Sequence, residues 1–251
     1  LQIGVRAGEH VAEPEHHQKQ IAKVTNLMII SQHKQGSDEW LAERKGIPTA
    51  SEFAPFMVDQ KTAAAKKALA RYICGKLSDD SQNDEYEQQA EDKEAKAMEY
   101  NPWVQRGKAL EPLARQRLSE KLGMEIVETG LVFHASEQFA ASPDGLIHDG
   151  EDWLAGCEIK CHNRKRHLAD LLAGELPEDH KHQVHGCMVV TGIRKWHYFG
   201  FHPTQPSLHI VVEWDDFTER LESGLKVLVV EKAKMKAKLA AMWQAEFGGA
   251  A

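Results

Sequence analysis

The sequence predicts an α/β (α+β) fold with one central mixed β-sheet flanked by helices and a long C-terminal helix. Three observations predict it. Three strand-like runs, Ile126–His134, Phe139–His148 and Trp153–Cys161, follow one another between two helical segments, as in a single layered core. Two more strand-like runs, Lys195–His202 and Leu208–Trp214, follow the second helical segment around Pro203 and Pro206. Finally, Phe217, Leu221, Leu225, Leu228, Met235, Leu239 and Met242 recur at spacings of three, four or seven residues, which marks one amphipathic helix.

Taken in order, residues 1–27 are polar, rich in His and Glu, and show no sustained period, so they read as a disordered N-terminal extension or a leader. A single domain is expected over residues 28–247. Lys61–Leu77 is rich in Ala, Lys and Leu without proline, which suits a helix, and Ser78–Asp84 reads as a polar loop. Trp103–Leu122 reads as a helix closed by Gly123, with Pro112 expected to kink it or to start its second half. Asp149-Gly150-Glu151-Asp152 is a turn signal that joins the second and third strand-like runs as a hairpin. Glu178–Val190 is the helix after them.

The 251 residues hold 31 Lys and Arg against 38 Asp and Glu, a net charge of −7 that argues against a uniformly basic nucleic-acid binder. The charges are segregated, however. Ser78 to Glu99 carries nine acids and two lysines, whereas Lys160 to Arg166 carries four basic residues and no acid. No apolar run is long enough for a membrane span. The four cysteines are too few for a disulfide scaffold in a chain of this length, so reduced thiols and a cytoplasmic location are expected.

The candidate chemistry centres on three acids and an amine. If Phe139–His148 and Trp153–Cys161 pair, Asp144 and Glu158 lie close together across the hairpin. In Glu158-Ile159-Lys160 the strand period turns Glu158 and Lys160 to one face and Ile159 to the core. Two carboxylates at one point repel unless a cation lies between them, and hard oxygen donors favour Mg²⁺ or Mn²⁺. Lys160 beside such an ion could help orient or deprotonate a bound water. Glu111 shares a helical stripe with Val104, Gly107, Ala114, Leu118 and Leu122, where a carboxylate needs a partner: a shared metal, or Arg115 or Lys108. Gln183 on the following helix could hydrogen-bond a lysine, a water or a phosphate. Near the start, Arg44 offers a fork to a phosphate, and Thr49-Ala50-Ser51 offers hydroxyls at a helix start. His182 and His185 make one helix-face pair without HExxH or CxxC, so zinc is not indicated. The cysteine spacing does not suit an iron–sulfur cluster. No Gly-rich phosphate loop or serine-hydrolase elbow occurs.

Pro143-Asp144, thirteen intervening residues and Glu158-Ile159-Lys160, with Glu111 on the preceding helix, resemble the PD-(D/E)xK nuclease superfamily. Four further features narrow the resemblance: Trp40 with Arg44 through Glu52; Arg106-Gly107-Lys108 ahead of Glu111-Pro112-Leu113-Ala114-Arg115; Ala141-Ser142-Pro143-Asp144-Gly145-Leu146; and Gln183-Val184. In this order they resemble the phage lambda exonuclease, or YqaJ-like viral recombinase, family. The resemblance implies a Mg²⁺-dependent exonuclease, with Mn²⁺ as a substitute and two ions per site. Such an enzyme degrades one strand of linear duplex DNA from a 5′-phosphorylated end and leaves 3′ overhangs. It also implies a homotrimeric ring and a single-strand-annealing partner protein. By motif, Asp144, Glu158 and the Ile159 carbonyl would ligate metal with Glu111 joining a second site. Lys160 and Gln183 would serve the attacking water. Arg44 and Ser51, with Thr49 and Ser142 nearby, would hold the 5′-phosphate. Trp103 and Val104 fall where the family has an apolar wedge, and His180 stands where a tyrosine is expected. Arg164, Lys165 and Arg166 are expected to meet the DNA backbone, with the acidic Ser78–Glu99 segment facing away. Another PD-(D/E)xK nuclease, either an endonuclease or a CRISPR-adaptation nuclease, and a non-catalytic DNA-binding scaffold are the alternatives.

Overall fold

The computed structural model describes residues 28–57, 61–78, 89, 93, 97 and 100–248. The expected N-terminal extension, and nearly all of the acidic Ser78–Glu99 segment, lie outside the described residues. Among the described residues there are eight strands: β1 (Met28–Ile30), β2 (Ile126–Val127), β3 (Val132–His134), β4 (Ala140–Ala141), β5 (Gly145–His148), β6 (Trp153–Lys160), β7 (Lys195–Gly200) and β8 (Leu208–Glu213). The α-helices are α1 (Asp38–Arg44), α2 (Ala63–Ser78), α3 (Pro102–Leu122), α4 (Arg164–Ala173), α5 (Glu178–Thr191) and α6 (Asp216–Phe247).

The central sheet is mixed, as expected, in the order β2-β5-β6-β7-β8. Only the β6–β7 pair is parallel, and α4 and α5 make the crossover that a parallel pair needs. The hairpin forms, pairing Gly145 with Cys157 and Leu146 with Gly156. The three-run reading of the middle of the chain requires correction. The first run divides into β2 and β3, and the second into β4 and β5, with β3 and β4 joining β1 in a separate three-stranded sheet. Ser142-Pro143-Asp144 interrupts the second run, because Pro143 lacks the N–H a ladder requires.

Strand alternation sorts the core into two faces. Ala155, Cys157 and Ile159 of β6 join Phe199 and Phe201 under Ala114 and Leu118 of α3. On the other face Trp196 and Tyr198 of β7 pack with Val184, Cys187 and Met188 of α5, and with Leu221, Leu225 and Leu228 of α6. Gly156 makes room for this second layer, since a Cβ there would fall 2.2 Å from the Trp196 ring.

Helix α3 runs through Pro112 as one element, so the expected division at that residue does not occur. Asn101 caps it by accepting from the Trp103 N–H, and Gly123 closes it in the left-handed region at φ 65°. Asp215 caps α6 through the N–H groups of Phe217 and Thr218. The apolar stripe of α6 is covered only in its first half; Leu239, Met242, Trp243 and Phe247 are exposed. Among the described residues no helix is long and apolar enough to cross a membrane, and all four cysteines are free thiols, with Cys74 on the surface.

Candidate active site

A cleft of about 230 Å³ lies where β6, α5, α3 and the Thr49–Ser51 segment meet. Glu111, Asp144, Glu158, Ile159, Lys160 and Gln183 line it, together with Arg44, Thr49, Ser51 and Ser142. The structure therefore brings together every residue expected to hold metal, water or the 5′-phosphate. A larger groove of about 550 Å³ between α3 and the β7–β8 end contains none of them.

Local rules explain the placement. Glu158 and Lys160 leave β6 on the α5 side while Ile159 enters the core. Asp144 precedes β5, and its Oδ2 accepts the Ile159 N–H at 2.6 Å, while its own N–H donates to the Cys157 carbonyl at 3.2 Å. This double clasp fixes one acid against the backbone beside the other. Gln183 and Cys187 are one turn apart on α5, so both reach the cleft. Two arginines seat α3, and with it Glu111. Arg106 donates to the Cys161 and His162 carbonyls at 2.6 and 3.0 Å, and Arg115 donates to the Asp144 carbonyl at 2.7 Å.

The electrostatics are those of crowded acids. Glu158 is wholly buried, and its Oε1 lies 2.5 Å from the Lys160 ammonium. Neither of its oxygens has another hydrogen-bond donor among the described residues. Burial pushes its carboxyl well up despite Lys160, and Asp144 adds to the rise. Burial likewise raises Asp144, against the pull of Lys160 and the Ile159 N–H. Glu111 is pushed up to about 6, first by burial and then by Asp144, with Arg115 opposing. Burial weakens the Lys160 charge, but Glu158 and Asp144 outweigh it and hold the proton on the amine.

These donors fit a divalent cation. They are hard oxygens, short of hydrogen bonds, and destabilised as anions by each other and by burial. Among the described residues no three His, Cys, Asp or Glu side chains form a ready metal cage. Lys160 draws Glu158 and Arg115 draws Glu111, so of the partners expected for Glu111 the structure shows Arg115, with Glu111 also lining the cleft.

The end of the cleft expected to take a phosphate contains Arg44, which stacks 4.4 Å over Trp40 and donates to the Thr49 hydroxyl at 3.2 Å. Glu52 accepts from the Thr49 N–H and from Tyr72, which anchors the short turn. The Ser142 hydroxyl is buried without a partner among the described residues.

The remaining expected residues lie outside the cleft. Trp103 is 60% exposed on the first turn of α3, with half-buried Val104 beside it. The basic run opens α4, a helix not anticipated. Arg164 and Lys165 are exposed, whereas Arg166 is paired with Asp170 and Asp179 at 2.8 Å each and so ties α4 to α5. His180 stacks between His162 and Tyr198, and burial with the nearby Lys160 charge lowers its pKa to about 4. Sequence reasoning missed Gln35 and Cys187 in the cleft. It also missed the span of Arg115, for which only the i,i+4 spacing to Glu111 gave a signal.

Residues 39–194 match the family described as the YqaJ-like viral recombinase domain. Among solved structures the chain is similar to an alkaline exonuclease (LHK-Exo) from Laribacter hongkongensis, with 28% identity and a TM-score of 0.59, covering 82% of this chain and 100% of that one. A complex of LHK-Exo with dAMP gives the same figures, 28% identity and TM-score 0.59 over 82% of this chain and 100% of that one. A phage-related exonuclease from Haemophilus somnus 129PT is 11% identical, with a TM-score of 0.46 over 77% of this chain and 96% of that one. A search of curated proteins gave no match.

Proposed function

Because the chain belongs to the YqaJ-like viral recombinase family, we propose that it is a Mg²⁺-dependent 5′-to-3′ exonuclease acting on linear double-stranded DNA. The observation that carries this reading is the shared cleft: the acids with Lys160 lie in the same small space as Arg44, Thr49, Ser51 and Ser142. A pocket for a terminal phosphate next to a hydrolytic centre measures off one nucleotide at a chain end. The dAMP complex of LHK-Exo accords with a mononucleotide product.

Asp144, Glu158 and the Ile159 carbonyl would hold one Mg²⁺, and Glu111 would join a second. Such ions supply Lewis-acid stabilisation of the attacking and leaving oxygens of an in-line phosphodiester displacement. The chain's own groups do the rest. Lys160 keeps its proton, because the acids around it hold it there, so it serves as a hydrogen-bond donor that orients the attacking water and meets charge developing on phosphate. Gln183 helps fix that water. Arg44, held flat on Trp40, presents its guanidinium to the 5′-phosphate, and the unpartnered Ser142 hydroxyl supplies a further donor. Exposed Trp103 is the wedge that parts the last base pair, and Arg164 and Lys165 meet the backbone.

On this reading the product is a duplex with a 3′ overhang, taken up by a single-strand-annealing protein, and the enzyme works as a homotrimeric ring. The test is digestion of linear duplex carrying a 5′ label, with Mg²⁺ and with EDTA. The expected result is early release of labelled mononucleotide, abolished by EDTA, with closed circular plasmid untouched. Cleavage of the plasmid would assign an endonuclease instead.

A further inference from the structure

Arg115 occupies an unusual position among the groups around the cleft. It is only 13% exposed, and among the described residues each of its three guanidinium nitrogens is used once, on a different part of the chain. Nε donates to the Asp144 carbonyl at 2.7 Å, Nη1 to Glu128 Oε2 at 2.9 Å, and Nη2 to Glu111 Oε1 at 2.5 Å. These acceptors belong to the turn before β5, the segment after β2, and α3 itself.

We propose that Arg115 is the positioning residue that sets Glu111 and Asp144 in register for the second metal ion. The inference rests on the exonuclease reading above. Glu111 stands on α3, which packs on one face of the sheet, while Asp144 is clasped to β6, so nothing in the sheet's own hydrogen bonding fixes their separation. Arg115 spans that gap. One end grips the Asp144 peptide and the other takes a single oxygen of Glu111, whose Oε2 receives no hydrogen bond from the described residues. Glu128 balances the guanidinium from outside the cleft and stops it from swinging wholly onto Glu111. A planar fork can make three divergent bonds at once, whereas an ammonium on a flexible stem cannot hold three acceptors so far apart.

Two variants test this. R115K keeps the charge and removes the fork; E128Q leaves the cleft's own residues intact and loosens the brace. Calorimetric titration of the DNA-free protein with Mn²⁺ reads binding without turnover. R115K is expected to weaken Mn²⁺ binding by about tenfold, the effect typical of losing a group that orients a ligand. E128Q should weaken it in the same direction by less, with an unchanged melting temperature in EDTA and an unchanged KM for DNA ends. Mn²⁺ binding by R115K equal to or tighter than wild type would overturn the proposal, the tighter result making Arg115 a competitor for Glu111. If R115K does not fold, unaltered Mn²⁺ binding by E128Q overturns it. A wild-type protein that fails to digest linear DNA with Mg²⁺ would sink the exonuclease reading, and is read in a separate assay.

Discussion

Lys160 Nζ lies 2.5 Å from Oε1 of Glu158, a carboxylate with no exposed surface. The pair stands at the end of a strand whose intervening residue, Ile159, is packed under α3 with Phe199 and Phe201. Neither charge can leave without stranding the other. Removing one partner of a buried ion pair costs about 3–5 kcal/mol, because the survivor stays desolvated. Lys160→Met should therefore lower stability at pH 8 and abolish digestion, and Glu158→Gln should abolish digestion as well. The double variant, with no buried charge at either position, should recover most of the lost stability and none of the activity. Urea unfolding of the three variants checks the first claim and a gel assay the second; near-normal turnover in either single variant would refute the site assignment.

If the cleft takes Mg²⁺ as proposed, the raised carboxyls make the resulting stabilisation depend on pH. A carboxyl whose folded pKa lies above its unfolded value favours the fold at low pH, where it is protonated in both states. That contribution is lost as pH rises through the folded pKa. For Glu111 the window runs from the ordinary carboxylate range to about 6, and for Glu158 it extends higher. A Mg²⁺ ion bound there would compete with these protons, so the rise in melting temperature on adding Mg²⁺ should be small at pH 5 and grow towards pH 8. In Glu111→Gln the lower part of that rise should flatten. A shift independent of pH in the wild type would place the ion elsewhere.

Among the described residues the Arg44 guanidinium makes one hydrogen bond, to Thr49, and otherwise rests on the Trp40 ring. It is thus held in place without being neutralised at short range, and burial weakens its charged form with Glu52 partly offsetting this. A guanidinium so prepared gives a terminal phosphate a charge-assisted hydrogen bond of about 1.5–3 kcal/mol, or roughly 10- to 100-fold in rate. Wild type should digest 5′-phosphorylated ends faster than 5′-hydroxyl ends by about that factor, and Arg44→Ala should erase the difference. Timed digestion of both substrates measures it; a preference that survives in Arg44→Ala puts the phosphate pocket elsewhere.

How much of this could be read from the sequence depends on whether a feature is local or assembled. The alternation of Glu158-Ile159-Lys160 and the Asp149–Asp152 turn are local, and both gave the right geometry. The Glu111 stripe predicted the burial of Ala114 and Leu118 for the same reason. The ion pairs of Arg166 were not legible, because a charge run does not reveal its partners: Asp170 is one turn on, but Asp179 comes from the next helix. Helix α4 escaped notice because it is ten residues long and opens on three charged residues, which leaves Leu168, Leu171 and Leu172 as a stripe of a single turn. The small β1-β3-β4 sheet was hidden within longer apolar runs, since pairing of two- and three-residue strands is decided by partners far along the chain.

Gly156 links packing to chemistry. It pairs across β6–β7 with Trp196, and a Cβ would meet three atoms of the indole ring at 2.2, 2.3 and 2.6 Å. The ring is fully buried among α5 and α6 residues, so it cannot swing out, and the strand must yield instead. Overpacking of this kind costs about 1–3 kcal/mol. Gly156→Ala should therefore lower the urea midpoint markedly. Glu158 is two residues further along the same face, so the displaced strand also carries the carboxylate, and a shift of about 1 Å at a reacting group can cost on the order of 100-fold in rate. Activity per folded molecule should fall beyond what the stability loss explains. Trp196→Phe in the Gly156→Ala background removes the ring atoms that collide, and should restore both stability and rate in part. If Gly156→Ala is fully active and as stable as wild type, the indole is not seated against this strand.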